Sequence, residues 1–340
     1  MIAALLLTAV SCKEDKDTAD LPSLSGLVFS CPSFVAPGTE VTLTPKGFEH
    51  PEGKGVGIYW KVTPSMAKAD TTMLENGLTP EGKETDGSLE FQFSDTLGKY
   101  QVMCYAFAEG HSGDAYQKTV MVVEGGLDKS ITMTDIKETD PKVTVDGVDY
   151  YYQEIAGLDW FRRNLASEAS GVGYQGYDVT SDVFGRYYSY EEALTACPEG
   201  WRLPSEEDWL SMCAAIGASG ADKYGTVKNV ASMLFVDACF NDEPMLEYWP
   251  QVGEVTNRSG LCVFPVGYSN LGDRSSEGEY PYAAFGGMYE YAAFWTADKV
   301  AGEEGMAYYR YLVSDQPDFF VGKGDVKSFG ASVRCVRDAE

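Results

Sequence analysis

The sequence predicts a two-domain chain, with an all-β domain over residues 26–124 followed over residues 130–338 by a domain in which two short helices sit among strands. Three observations carry this. The length of 340 residues calls for two domains at roughly 100 to 200 residues each. Residues 26–124 run as short alternating apolar and polar stretches broken by turn residues. Beyond residue 130 the apolar period lengthens to that of a helix twice within residues 189–216.

In the first domain the candidate strands are residues 27–30, 40–44, 57–63, 89–93, 99–106 and 117–123, punctuated by Pro37-Gly38, Pro51-Glu52-Gly53 and Glu109-Gly110. About seven strands in ~100 residues is the pattern of an immunoglobulin-like β-sandwich. Trp60 sits mid-strand, where a buried aromatic belongs between two sheets, and Tyr100 in Asp95-Thr96-Leu97-Gly98-Lys99-Tyr100 resembles the tyrosine corner of such sandwiches. Val102 stands where an antibody-type domain has a cysteine, with Cys104 one inward step later. The domain therefore looks closer to the polycystic-kidney-disease type of spacer, and a Cys31–Cys104 bridge stays open.

Residues 125–130 form the linker, and Asp146-Gly147 is the turn of a hairpin between residues 131–145 and 148–155. Ser189 with Glu192, and Ser205 with Asp208, are capping boxes sixteen residues apart. Tyr190, Ala193, Leu194 and Cys197 follow the first, and Trp209, Met212, Cys213 and Ile216 the second, each an apolar face that must pack on something. Pro198 stops the first helix and Gly217 ends the second. Residues 228–239 fit a third helix or a long ordered loop equally well.

These residues carry a resemblance. The run from Ala196-Cys197-Pro198-Glu199-Gly200-Trp201-Arg202-Leu203-Pro204-Ser205 to Trp209 resembles the signature of the Fibrobacter succinogenes major paralogous domain family. Ile155-Ala156-Gly157-Leu158-Asp159-Trp160, Gly260-Leu261-Cys262-Val263-Phe264-Pro265, Phe294-Trp295-Thr296 and Ser332-Val333-Arg334-Cys335-Val336 fit its other blocks in order. The resemblance implies a C-type-lectin-like α+β fold, a secreted or surface setting in bacteria and no assigned catalytic residues. It also implies a disulfide between Cys197 and Cys335, because a lectin-like fold sets its first helix against its last strand.

Acidic residues outnumber basic ones 52 to 26, for a net charge of −26. Such a surface repels nucleic acid and anionic membrane. Residues 1–11 are an apolar run too short to span a bilayer and read as a signal peptide. Thr8-Ala9-Val10-Ser11-Cys12 resembles a bacterial lipobox, with Cys12 lipidated. The charged segment Lys13-Glu14-Asp15-Lys16-Asp17 resembles signals that send lipoproteins to the outer face of the outer membrane, so residues 12–25 read as a lipidated tether and the chain as displayed on the cell surface.

The chain has two histidines, His50 and His111, both in the first domain. The second domain thus holds no Ser/His/Asp or Cys/His nucleophile arrangement, and the reading is non-enzymatic. The binding residues are expected in residues 269–295, read as a loop rich in Gly, Ser, acids and aromatics. Asn270, Asp273, Glu277 and Glu279 offer oxygens to hydrogen bonds or a calcium ion, and Tyr280, Tyr282 and Tyr289 offer rings to a glycan or protein partner. The tyrosines can equally cover the domain's own core. The expected function is binding of an extracellular ligand; the rival is a structural or accessory subunit of a surface or fimbrial assembly.

Overall fold

In the second unit of the structure the two capping boxes form as read. Ser189 Oγ accepts from the Glu192 N–H and the Glu192 carboxylate returns to the Ser189 N–H; Ser205 and Asp208 do the same. The computed structural model describes residues 22–24, 26–47, 50, 52, 54–64, 71–74, 87–125, 130–241, 243–244 and 254–340. The signal peptide, Cys12, most of the tether and linker residues 126–129 lie outside the described residues. Two compact units result: one of residues up to Cys31 with Glu40–Phe93 and Lys99–Val120, the other of Pro32–Thr39, Ser94–Gly98 and Met121–Glu340.

Strand β1 (Phe34–Val35) belongs to the second unit. In the first, β2 (Glu40–Leu43) pairs antiparallel with β5 (Leu89–Gln92), while β3 (Val56–Thr63) lies between β4 (Thr71–Leu74) and β6 (Gly98–Phe107), with β7 (Asp114–Val122) beyond β6. Alternation on β3 and β6 buries Ile58, Trp60, Val62, Tyr100, Val102 and Cys104. Trp60 donates its indole N–H to the Gly87 carbonyl at 2.8 Å and packs edge-on against Phe29. Cys31 and Cys104 are both buried free thiols, so the bridge left open by the sequence does not form.

Among its described residues the second unit has four short α-helices: α1 (Ser181–Phe184), α2 (Tyr190–Ala196), α3 (Glu206–Ala215) and α4 (Ala231–Leu234). The rest is strand. One sheet orders β20 (Val336–Asp338), β11 (Leu158–Phe161), β10 (Val148–Ile155) and β9 (Lys142–Val145), with Asp146 and Gly147 both at positive φ in the turn between β9 and β10. A smaller sheet joins β8 (Ile131–Met133), β12 (Ala238–Phe240) and β13 (Glu243–Pro244). The hairpin is therefore shorter than residues 131–155, because residues 131–133 leave it to pair with β12. The largest sheet orders β15 (Ala284–Met288), β14 (Val266–Asn270), β16 (Tyr291–Lys299), β17 (Met306–Val313) and β18 (Phe319–Asp325), with β19 (Phe329–Gly330) on β14.

The α+β lectin-like expectation is overturned. The chain is 40% strand and 11% helix and does not have an α+β C-type lectin fold. The physical reason lies in what the helical signals cover. The capping boxes and apolar faces describe two local elements, of 7 and 10 residues, whereas period-two runs between residues 266 and 330 build the main sheet. Residues 228–239 add one helical turn and then strand β12.

The last segment ties this unit together. Cys335 is bonded to Cys197, 138 residues away, with their Cα atoms 5.8 Å apart, so the expected disulfide forms. Residues 332–336 are all buried. The Cys335 and Val333 carbonyls accept from the N–H groups of Phe161 and Leu165, and Val336 exchanges backbone hydrogen bonds with Arg202. Beneath β17 the buried Arg310 forks onto the buried Glu206 carboxylate, donating from Nε at 2.9 Å and also from its terminal nitrogen.

Candidate functional site

Of residues 269–295, only 269–270, 284–288 and 291–295 are strand, and 271–283 are turns and loop as read; the expected site residues separate. Asn270 ends β14, exposed, and turns its amide oxygen to the Gly272 N–H at 3.3 Å. Glu277, Glu279 and Tyr280 line a polar cleft of about 510 Å³; Asp273 and Tyr280 line a second of the same size, and Ser170, Arg274 and Tyr280 are common to both. Tyr280 is half-buried, donating its hydroxyl to Glu192 at 2.7 Å, and Arg274 reaches the same carboxylate at 3.3 Å and lies over the Tyr280 ring. Burial, followed by smaller contributions from Ser189 and Glu192, leaves the Tyr280 hydroxyl with its pKa pushed up to about 12. Tyr280 thus anchors its loop to the cap of α2. Tyr282 is 82% exposed. Tyr289 sits at φ 68°, half-buried, against Phe34 and the apolar cluster around it. The expected calcium ligands do not gather: among the described residues no group of three or more His, Cys, Asp or Glu side chains is placed to hold a metal ion.

The two histidines meet in the first unit, ring centroids 4.3 Å apart. His50 Nδ1 accepts from the Glu52 N–H, and the buried Nε2 has no hydrogen-bond partner among the described residues.

A different surface is built for ring contact. On β17, Arg310 and Leu312 turn inward while Tyr309 and Tyr311 turn to the other face. Cross-strand pairing sets Ala293 and Phe320 beside Tyr311, and Trp295 and Gly322 beside Tyr309. With Tyr268 on β14, Tyr291 on β16 and Phe329 on β19, these rings line a trough of about 380 Å³, whose remaining lining is Ala293, Val313 and Gln316. That volume falls within the range of small-ligand pockets. Two pairs of rings are stacked, Tyr268 and Phe329 5.9 Å apart at 30° and Tyr311 and Phe320 5.2 Å at 23°; Tyr309 is tilted against both Phe329 (4.4 Å, 33°) and Tyr311 (5.7 Å, 39°), and Tyr268 meets Tyr291 edge-on at 5.7 Å.

Glycines set the floor. A Cβ on Gly322 would stand 2.4 Å from Tyr309 Cζ, and one on Gly324 2.5 Å from the Phe329 ring, so both rings lie directly over bare backbone. Gly287, at φ +70°, leaves room in the same way for Tyr291 and Tyr268. Burial, and after it the neighbouring Tyr311, Tyr268 and Tyr291, raises the Tyr309 pKa, so its hydroxyl stays a neutral donor and acceptor. Tyr291 falls within residues 269–295, where the sequence places the binding residues; the other rings of the trough lie outside that stretch. The signal for the others was the two-residue alternation Tyr309, Tyr311, Val313 in a run with a charged residue at Arg310.

Fold and site together define a mostly β, disulfide-tied domain that offers an aromatic trough whose lining includes no Asp, Glu, Lys, Arg or His. The chain belongs to the Fibrobacter succinogenes major domain family, whose model matches residues 154–337, more than half of its length. No curated protein matches it.

Proposed function

We propose that the chain is a lipoprotein of the outer membrane, anchored through Cys12 and displayed at the cell surface, whose family domain binds an extracellular ligand, a glycan or a protein, without turning it over. The first unit serves as a spacer between the tether and this domain. The observation that carries the reading is the trough over β14, β16, β17, β18 and β19: partly exposed tyrosine and phenylalanine rings held over glycine backbone are a costly arrangement for a surface and a ready one for binding. The lipobox resemblance at residues 8–12 and the acidic segment after it support the anchor.

Two measurements test this. Cys12→Ser should release the chain from the membrane fraction, and protease added to intact cells should remove the wild-type chain; a chain that is protected in intact cells does not face outward. Probing glycans and cell-surface proteins with the full chain, with Tyr268→Ala and Tyr311→Ala beside it, should return a ligand whose binding those substitutions abolish. Incorporation into a surface filament, unaffected by either substitution, would instead favour the accessory-subunit role.

A further inference from the structure

We infer that the second unit carries a site for an extended peptide that presents a small polar residue, an aromatic and a β-branched residue in that order, and that the chain's own Ser33-Phe34-Val35 fills it as a built-in ligand. The site is separate from the trough and does not rest on the reading of the trough.

The segment comes from elsewhere in the chain. Pro32–Thr39 groups with Met121–Glu340, although Glu40–Phe93 and Lys99–Val120, which lie between them in sequence, belong to the first unit. What receives the segment lies inside the family's span: Tyr174, Gln175, Phe184, Phe240 and Tyr289 all fall within residues 154–337, and Phe34 does not.

Three kinds of contact hold it, each suited to one feature of an extended peptide. Strand pairing takes the backbone, as in the addition of a peptide to a sheet: the Ser33 and Val35 carbonyls accept from the N–H groups of Met121 at 2.8 Å and Val123 at 2.9 Å, in a parallel ladder that ends the sheet at β1. A socket takes the aromatic. The Phe34 ring, 3% exposed, stacks on Phe240 at 5.8 Å and meets Phe184, Tyr174 and Tyr289 edge-on. A clamp takes the residue before it: the Gln175 amide oxygen accepts from the Ser33 N–H at 2.7 Å, and the Gln175 amide nitrogen donates to Ser33 Oγ at 3.2 Å. Val35, buried, has the branched side chain that favours the extended backbone.

Backbone strain marks the receiving side. Gln175 sits at φ 56° and Tyr289 at φ 68°, in the left-handed region that is unfavourable for a residue with a side chain, and they touch Ser33 and Phe34 respectively. Strain of this kind gathers at ligand clamps, where the surroundings hold it in place. The held strand is short by contrast. Phe34 and Val35 make up its whole length, so it leaves the ladder without unpairing a longer strand, and its attachment to the chain returns it at the effective concentration of a linked ligand. A free peptide therefore enters once the built-in one is weakened.

The test titrates the full chain, wild type and Phe34→Ala, with a fluorescent peptide of residues 32–37, Pro32-Ser33-Phe34-Val35-Ala36-Pro37, followed by anisotropy. The Phe34→Ala chain should bind at least tenfold more tightly than the wild type, whose own segment excludes the peptide. The same peptide carrying Phe34→Ala should bind at least tenfold more weakly, and adding Gln175→Ala to the Phe34→Ala chain should cost at least threefold. No binding to a folded Phe34→Ala chain, or equal binding of the two peptides, overturns the inference. Hydrogen exchange on the wild type decides the question should melting curves show that Phe34→Ala does not fold. The Met121 and Val123 amides, freed when β1 leaves, should exchange at least tenfold faster than the Leu165 amide, which is bonded to the Val333 carbonyl in the core of the same unit; equal rates make residues 33–35 a fixed part of that core and overturn the inference.

Discussion

Arg310 and Glu206 show how a single residue's neighbours set its worth. Both side chains are wholly buried and paired, and Arg310 also donates to the Gly225 and Phe319 carbonyls. Removing one partner strands the other charge in the core, so Arg310→Ala should cost about 3–5 kcal/mol, read as a lower urea midpoint at unchanged slope. A loss under about 1 kcal/mol would mean that the pair is solvated. Neither residue is distinguished in the sequence: Glu206 is one of three consecutive acids, Glu206-Glu207-Asp208, in an acidic chain. The burial that separates it from Glu207 comes from β17, 104 residues away. Tyr280 teaches the same lesson in reverse. Its place in a polar, glycine-rich stretch suggests an exposed ring, but the carboxylate of the α2 cap claims its hydroxyl.

At the scale of elements, local signals were reliable where the interaction is local. Both capping boxes, the Asp146-Gly147 turn and the apolar face of α3 need only residues within a few positions of one another, and the sequence shows them; on α2 the expected face is incomplete, because Leu194 is exposed. The turn from β18 to β19 obeys the same kind of rule. Asp325 Oδ1 accepts from the N–H groups of Ser328 and Lys327 and from the Ser328 hydroxyl, and these N–H groups hold its carboxyl below the usual range. A depressed folded pKa stabilises above the unfolded value and is lost as the pH falls through the folded one. Asp325→Ala should therefore cost about 1 kcal/mol at pH 7, with the gap to wild type closing at acid pH in denaturant titrations; a constant gap would exclude the carboxylate as its source. Strand β18 carries a second prediction. In Gly322→Ala the new Cβ displaces the outer end of the Tyr309 ring, a flexible group, so thermal stability should move by less than about 1 kcal/mol while ligand affinity in the trough falls several-fold.

Across the whole domain, the closing segment 332–336 is the link between parts that are distant in the chain. It reaches β11 through backbone hydrogen bonds, the turn at Arg202 through a bridge and the end of α2 through the Cys197–Cys335 bond. Closing a loop of 138 residues restricts the unfolded chain by about 5 kcal/mol in the entropy model, with about 2–5 kcal/mol the usual measured range. The Cys197→Ser, Cys335→Ser double variant should unfold at lower denaturant by that margin, and reductant should bring the wild type to the same midpoint; equal midpoints with and without reductant would show that the bond does not stabilise the domain.

By itself the sequence determined what neighbouring residues and composition decide: two capped helices, a β-hairpin turn, an acidic surface, and the ordered blocks that mark the family. Only the tertiary structure decided that the domain is mostly β and not lectin-like, that residues 284–288 and 291–295 are strand, and that Tyr268, Tyr291, Tyr309, Tyr311, Phe320 and Phe329 share one trough. Pairing between strands is set by hydrogen bonds and side-chain contacts among residues tens of positions apart, and a side chain's exposure depends on what those distant strands place over it. A period of two says that a residue faces one side of a sheet; which side meets water is fixed only when the sheet closes on its core.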